Sequence, residues 1–172
     1  MRLVRVNKAI LDATKLRWGE ELESETVTFS PSGYGNLLDS VAYKLESPAE
    51  NFFHYALVDG SDDLAALAIL ELSHVLPNAP DTYLKVLSIR MTPRLDTRNA
   101  DTADMNRVTR HHSIARVASY CISEVLRLSL SEHPVSYFKI FTTRTQTDID
   151  MLIYVTDQLN KDVLLGAGIE AD

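Results

Sequence analysis

Cysteine is almost missing from this chain: Cys121 is the only one in 172 residues. A single thiol cannot close an intramolecular disulfide or build a cysteine-rich metal site. Because Cys121 falls at an apolar position of a long helical pattern, a buried structural thiol is expected rather than a nucleophile. Basic residues are also in short supply. With 17 Lys and Arg against 24 Asp and Glu the formal net charge is −7, so a face built to neutralise nucleic-acid phosphates is not expected. No apolar run approaches the roughly 20 residues that cross a bilayer, and the basic start at residues 1–6 lacks the apolar core of a secretory signal. The expectation is a soluble, cytoplasmic protein with no membrane partner. Glycine is sparse, at six residues. None stands in a Gly-Lys-Ser/Thr phosphate loop or a Gly-x-Ser-x-Gly elbow, which sets aside the P-loop and serine-hydrolase readings.

What is present suits one domain with a full core: 172 residues, 45% of them hydrophobic, are too few for two. Residues 1–172 are read as a single domain. Residues 3–6 alternate as a short strand, and Asn7 is a natural N-cap for a helix over 8–22, with Leu11, Trp18 and Leu22 on one face. Residues 26–29 are β-like, 30–35 read as a loop, and a second helix is expected over 36–45. Two apolar runs, 52–58 and 64–75, flank an Asp-Gly turn and predict a hairpin. Residues 83–91 alternate as a third central strand, with Leu84, Val86 and Ser88 on one face and Tyr83, Lys85, Leu87, Ile89 and Met91 on the other. Ile114, Val117, Ala118, Cys121, Val125 and Leu128 recur at helical spacing. A strand over 136–142, a helix about 149–159 and a weak strand over 163–169 complete the pattern.

Residues 92–109 are polar and without a period, and are read as an insertion or mobile loop. Arg90, Arg94, Arg98, Arg107, Arg110 and Arg116 crowd into a short span of an acidic chain, which suggests a local site for an anionic ligand; a merely solvated charge run is the plainer reading. The stretch ends in Arg110, His111, His112, Ser113, Ile114 and Ala115, directly before the long helical pattern. A strand, a polar turn and a long helix form an anion-binding layout, because the first N–H groups of a helix lack intrahelical partners and carry the positive end of its dipole. Glycine is absent from this turn, and Ser113 and Ala115 are the small residues that stand in for it. Adjacent histidines in a turn rarely face one metal, and no carboxylate or cysteine lies at ligand spacing, so no metal is expected.

The element order and two motifs resemble the GNAT superfamily of N-acetyltransferases over nearly the whole chain. In that family a loop Arg/Gln-x-x-Gly-x-Gly/Ala cradles the pyrophosphate of acetyl-coenzyme A; here Arg110-x-x-Ser113-x-Ala115 lines up with it. Thr147 stands where the family commonly has Asn, and Ile153-Tyr154 takes the place of its Leu-Tyr pair. The resemblance implies an α/β (α+β) fold with a central mixed, mostly antiparallel sheet flanked by helices. It further implies that acetyl-CoA is the co-substrate, held by the amides of residues 111–115, by Arg110, by main chain near Ile89 and Met91, and near Thr147. Tyr154 would donate a proton to the departing thiolate, a role a phenol with reference pKa near 10 suits. The departures are the lost glycine, Thr147 for Asn, and about a dozen extra residues before the loop.

Attack by an amine on a thioester calls for a base. Glu71 is the first candidate and His74 the second, against the plainer reading of Glu71 as a solvent-facing strand residue. Tyr34, in the glycine-flanked connection between the first two helices, is read as a wall of the acceptor pocket or as a structural turn. Two functions stay open. One is acetyl transfer from acetyl-CoA to an amine of a small molecule or protein by direct attack. The other is a catalytically inactive GNAT-like module serving as a protein-interaction, regulatory or effector protein. Dimers are frequent in the resembling family, so a homodimer is among its implications.

Overall fold

The computed structural model describes residues 1–24, 32–60, 63–75, 82–96, 107–135 and 137–140. The element order is β1 (Arg2–Arg5), α1 (Lys8–Glu23), α2 (Ser32–Glu46), β2 (Phe52–Val58), β3 (Ala68–Val75), β4 (Tyr83–Met91), a 3-10 turn (Pro93–Leu95), α3 (Arg107–Leu130) and β5 (Tyr137–Ile140). One five-stranded sheet runs in the order β1-β2-β3-β4-β5. Its first three pairings are antiparallel and β4–β5 is parallel. This is the mixed, mostly antiparallel sheet with flanking helices that the sequence resemblance implied.

Strand alternation puts one set of side chains on each face. Phe53, Tyr55, Leu57, Leu70, Leu72, Leu84 and Val86 pack with Ile114, Val117, Cys121, Val125 and Leu128 of α3. Ala56, Val58 and Ile69 pack on the opposite face with Ile10, Leu11 and Trp18 of α1 and with Tyr34, Leu37, Leu38 and Val41 of α2. The sheet is thus sandwiched between α3 and the α1–α2 pair, and Cys121 is buried as its helical position predicts.

Asn7 caps α1 as expected, its side chain accepting from the Ile10 amide at 3.0 Å. Helix α1 also organises the start of β3. Thr14 Oγ1 accepts from the Ala66 amide at 3.0 Å, and Trp18 Nε1 donates to the Ala66 carbonyl at 2.8 Å. With its backbone held by a helix, the apolar run from Leu64 joins the sheet only at Ala68. The strand expected over 64–75 is shortened for that reason.

Two helix starts differ from expectation. Helix α2 begins at Ser32, not 36, so Gly33, Tyr34 and Gly35 are helical rather than a loop. Helix α3 begins at Arg107, ahead of residues 110–115. The stretch expected as a mobile insertion opens with packed structure: Pro93 and Leu95 are buried in the 3-10 turn, and Thr92 and Asp96 are buried beside it. Residues 97–106 lie outside the described residues, as do the β-like piece at 26–29 and the elements expected beyond 140. No helix among the described residues is long and apolar enough to cross a membrane.

Candidate functional site

The end of β4 carries the feature that organises the site. The β3–β4 register runs regularly from Val75↔Tyr83 to Leu72↔Val86, then resumes at Glu71↔Ser88. Leu87 is the extra residue of a bulge, which leaves it without a partner and bends its strand. One inserted residue reverses the alternation beyond it. Ser88 therefore does not share a face with Leu84 and Val86, as alternation alone predicts. It lies with Arg90 on the α1–α2 face, while Ile89 and Met91 pack toward the α3 core.

The bulge also marks where β5 stops. Among the described residues the parallel pairing ends at Val86↔Ile140, one residue before Leu87. Beyond it the direction of the main-chain groups follows from the antiparallel ladder, where residues bond alternately to one neighbour and the other. The Thr92 amide donates to the Leu67 carbonyl at 2.8 Å, on the β3 side. Counting back, Arg90 and Ser88 bond toward β3, and Ile89 and Met91 direct their N–H and C=O groups to the β5 side. That is the edge that the family resemblance implied for acetyl-CoA. The Met91 carbonyl is partly engaged there, accepting from Tyr34 Oη at 2.9 Å.

Helix α3 starts beside this edge. Arg110, 7% exposed, reaches from the first turn of α3 and donates through Nη2 to the Asp96 carbonyl at 2.6 Å. This tie sets the helix start against the chain that leaves β4. It also gives Arg110 a structural partner, where the sequence reading had it facing phosphate. Residues His111, His112, Ser113, Ile114 and Ala115 lie inside the helix, where each amide is one turn beyond a helical carbonyl. Ser113 Oγ donates to the Thr109 carbonyl at 3.0 Å within the same helix. The expectation that the amides of 111–115 form an open cradle is corrected by one helical turn. The amides without intrahelical partners are those of Arg107, Val108 and Thr109, because an α-helix leaves its first N–H groups unpaired. No acidic residue occupies that first turn.

On the α1–α2 face, Glu71 is held rather than open. Ser88 Oγ donates to its Oε2 at 2.5 Å, and His54 Nε2 lies 3.3 Å from Oε1. The His54 hydrogen bond, with Ser88 adding to it, holds the Glu71 carboxyl below the usual carboxylate range even though burial opposes this. A carboxylate so stabilised is a weak proton acceptor. His74 lies three residues beyond Glu71 along β3, paired with Leu84 and with its ring 5.8 Å from that of His133. It does not meet Glu71 or the end of β4. Tyr34 is fully buried, edge-on to Trp18 at 5.3 Å, with its hydroxyl between the Met91 carbonyl and Asp96 Oδ2 at 2.8 Å. It stands in a helix and not in the structural turn that was one of its two readings, and its hydroxyl pins the end of β4 to the start of α2. Glu21 adds a second pin, accepting from Thr92 Oγ1 and from the Arg94 amide.

No protein-family model and no curated protein matches the chain. Among solved structures, it is similar to a probable acetyltransferase, at 13% identity and TM-score 0.49, over 100% of this chain and 91% of that one. It is similar to an aminoglycoside N-acetyltransferase in complex with CoA, at 13% identity and TM-score 0.45, over 98% and 87%. An aminoglycoside 6'-N-acetyltransferase from Acinetobacter haemolyticus follows at 11% identity and TM-score 0.45, over 99% and 92%.

Thr147 and Tyr154 lie outside the described residues. Three residues of the site escaped sequence reasoning. His54 reads as an ordinary strand residue but is 6% exposed and bonded to Glu71. Ser88 is assigned to the wrong face until the bulge is known. Arg90, read only as one of a cluster of arginines, has its guanidinium 5.7 Å from the Tyr34 ring centroid and its charge near Glu71. Among the described residues no group of three or more His, Cys, Asp or Glu is arranged to hold a metal.

Proposed function

We propose that the chain is an acyltransferase that moves an acetyl group from acetyl-CoA to an amine by direct attack. The observation that carries this reading is the coincidence at Leu87. There the bulge bends β4 and the described β5 pairing ends, and from there on Ile89 and Met91 turn main-chain polar groups to the β5 side of the strand. An amide-bearing arm laid along that edge pairs as a strand would. The first-turn amides of α3, tied to Asp96 by Arg110, supply donors for a pyrophosphate at the end of such an arm.

In the reaction, the amine lone pair adds to the thioester carbonyl carbon, the C–N bond forms and the C–S bond breaks. The amine gives up one proton and the departing thiolate takes one. Tyr154 is the proposed donor to the thiolate. Glu71, with its carboxylate stabilised by His54 and Ser88, is better suited to fixing the β3–β4 face than to taking the proton, so water at the cleft is the proposed carrier of the amine proton. The acceptor is proposed to be a small molecule. Steady-state release of free thiol from acetyl-CoA, measured with a panel of amines, tests the reading: amine-dependent release supports it. Absence of release with every amine, from protein that binds acetyl-CoA, favours the non-catalytic module instead.

A further inference from the structure

At the end of β4 the α1–α2 face brings carboxylates and one guanidinium close together. Three carboxylates approach the end of β4 among the described residues, and each has protein partners. Glu71 takes His54 and Ser88, Asp96 accepts from Tyr34, and Glu21 accepts from Thr92 and the Arg94 amide. Arg90 projects from the same face of β4 as Ser88, two residues nearer the strand end. It is half-buried and lies over the Tyr34 ring at 5.7 Å, and its charge acts on Glu71, whose ion-pair contact among the described residues is with His54. A guanidinium held on an aromatic face keeps its fork of donors for a planar anion. The tyrosine beneath it cannot swing away, because its hydroxyl is bonded at the far side to Met91 and Asp96.

We propose that Arg90 is a specificity-determining residue that seats an anionic group, a carboxylate or a phosphate, of a small amine acceptor. The proposal rests on the acetyl-transfer reading and names its substrate class. It runs against polycationic acceptors, because a cation brought to this part of the face meets the Arg90 guanidinium, whose charge already favours the ionised form of Glu71. A cation at this position has a second effect on the chemistry. It lowers the pKa of a nearby ammonium by like-charge repulsion, which favours the neutral, nucleophilic amine at ordinary pH.

The test is direct binding and turnover with a matched set of probes: ethanolamine, O-phosphoethanolamine, glycine and spermidine, on wild type, Arg90→Gln and Arg90→Lys. Wild type is expected to bind O-phosphoethanolamine or glycine more tightly than ethanolamine, and to bind spermidine least. The stronger of the two anionic probes tells phosphate from carboxylate. Arg90→Gln is expected to lose about 10- to 100-fold for the anionic probe, the range of a hydrogen bond to a charged group, and Arg90→Lys to recover part of it. Titration of acetyl-CoA separates this from the parent reading: its affinity should be the same in all three proteins. Preference for spermidine, unchanged anion binding in Arg90→Gln, or a parallel loss of acetyl-CoA affinity in that variant overturns the proposal. Failure of acetyl-CoA to bind any of them sinks acetyl transfer and leaves the anion-binding result to stand by itself.

Discussion

Ser88 Oγ donates to Glu71 Oε2 at 2.5 Å across the β3–β4 pair, at the first register position beyond the Leu87 bulge. The contact exists only because the bulge turned Ser88 to the α1–α2 face; in an unbroken strand Ser88 would point into the α3 core with Val86. Glu71 is thereby closed from both sides, by Ser88 and by His54. A carboxylate so held is suited to bracing the β3–β4 pair.

The bracing role makes a prediction for Glu71→Gln. The folded pKa is lowered, so the carboxylate's contribution is fully present above the unfolded value near 4.3 and is lost as pH falls through the lower folded value. At pH 7 the variant should be less stable by about 1–3 kcal/mol. The difference from wild type should narrow below about pH 4. Its amine-dependent turnover should stay within about tenfold of wild type, whereas loss of a general base costs about 10²–10⁴-fold. Chemical denaturation against pH, together with initial rates, checks both parts.

Tyr34→Phe keeps the ring under Arg90 and removes the hydroxyl that joins Met91 and Asp96. Two buried acceptors then lose one donor, at an expected loss of about 1–3 kcal/mol. Discrimination between anionic and neutral amines should persist, since the ring is intact. A thermal melt and the acceptor panel measure the two effects separately.

A second cluster sits at the other end of the sheet. The His133 ring stacks on Phe53 at 4.4 Å, and its Nε2 lies 2.9 Å from the Tyr55 hydroxyl, which also donates to Glu132 at 3.0 Å. Burial, then the nearby charge of His74, lowers the His133 pKa, with Arg5 acting the same way and Glu132 opposing. The unfolded chain therefore takes up a proton first. Stability should be full above about pH 6.5 and should fall as pH drops below it. Melting temperatures between pH 5 and 8 should show this fall in wild type and a shallower one in His133→Phe.

Burial pushes the Cys121 thiol well above its ordinary range, inside the α3 face of the core. A thiol reagent should leave the native protein unlabelled and modify one site after unfolding in denaturant. Mass spectrometry of the two samples decides it.

Much of the fold was legible because its signals are periodic. Asn7 before an apolar helical stripe, the two runs either side of Asp59-Gly60, and the 3–4 spacing from Ile114 to Leu128 each imply one element, and each is present. The site was less legible, because its geometry depends on single-residue events. Alternation along β4 says nothing of an extra residue at Leu87, so the faces of Ser88, Ile89 and Met91 came out reversed relative to Val86. The first turn of α3, Arg107, Val108 and Thr109, carries one apolar residue and no apolar repeat, so the periodic pattern, which begins at Ile114, places the helix start about two turns late. Residues 92–96 look like loop in composition. They are packed because Glu21 and Tyr34, more than 50 residues earlier in sequence, supply their hydrogen bonds, contacts that local pattern does not show.

The central claim is that acetyl-CoA lies along the Ile89–Met91 edge with its pyrophosphate on the first-turn amides of α3. Calorimetric titration of acetyl-CoA into wild type, Arg107→Ala and Arg107→Pro tests it most directly. Proline at the first helical position preserves the helix and removes one amide donor, so the two variants share the loss of side-chain charge and differ at that N–H. The account predicts binding to wild type, and a further loss of about 10-fold or more from Arg107→Ala to Arg107→Pro, the worth of a hydrogen bond to a charged group. No heat of binding to wild type at millimolar acetyl-CoA, or equal affinity in the two variants, contradicts it.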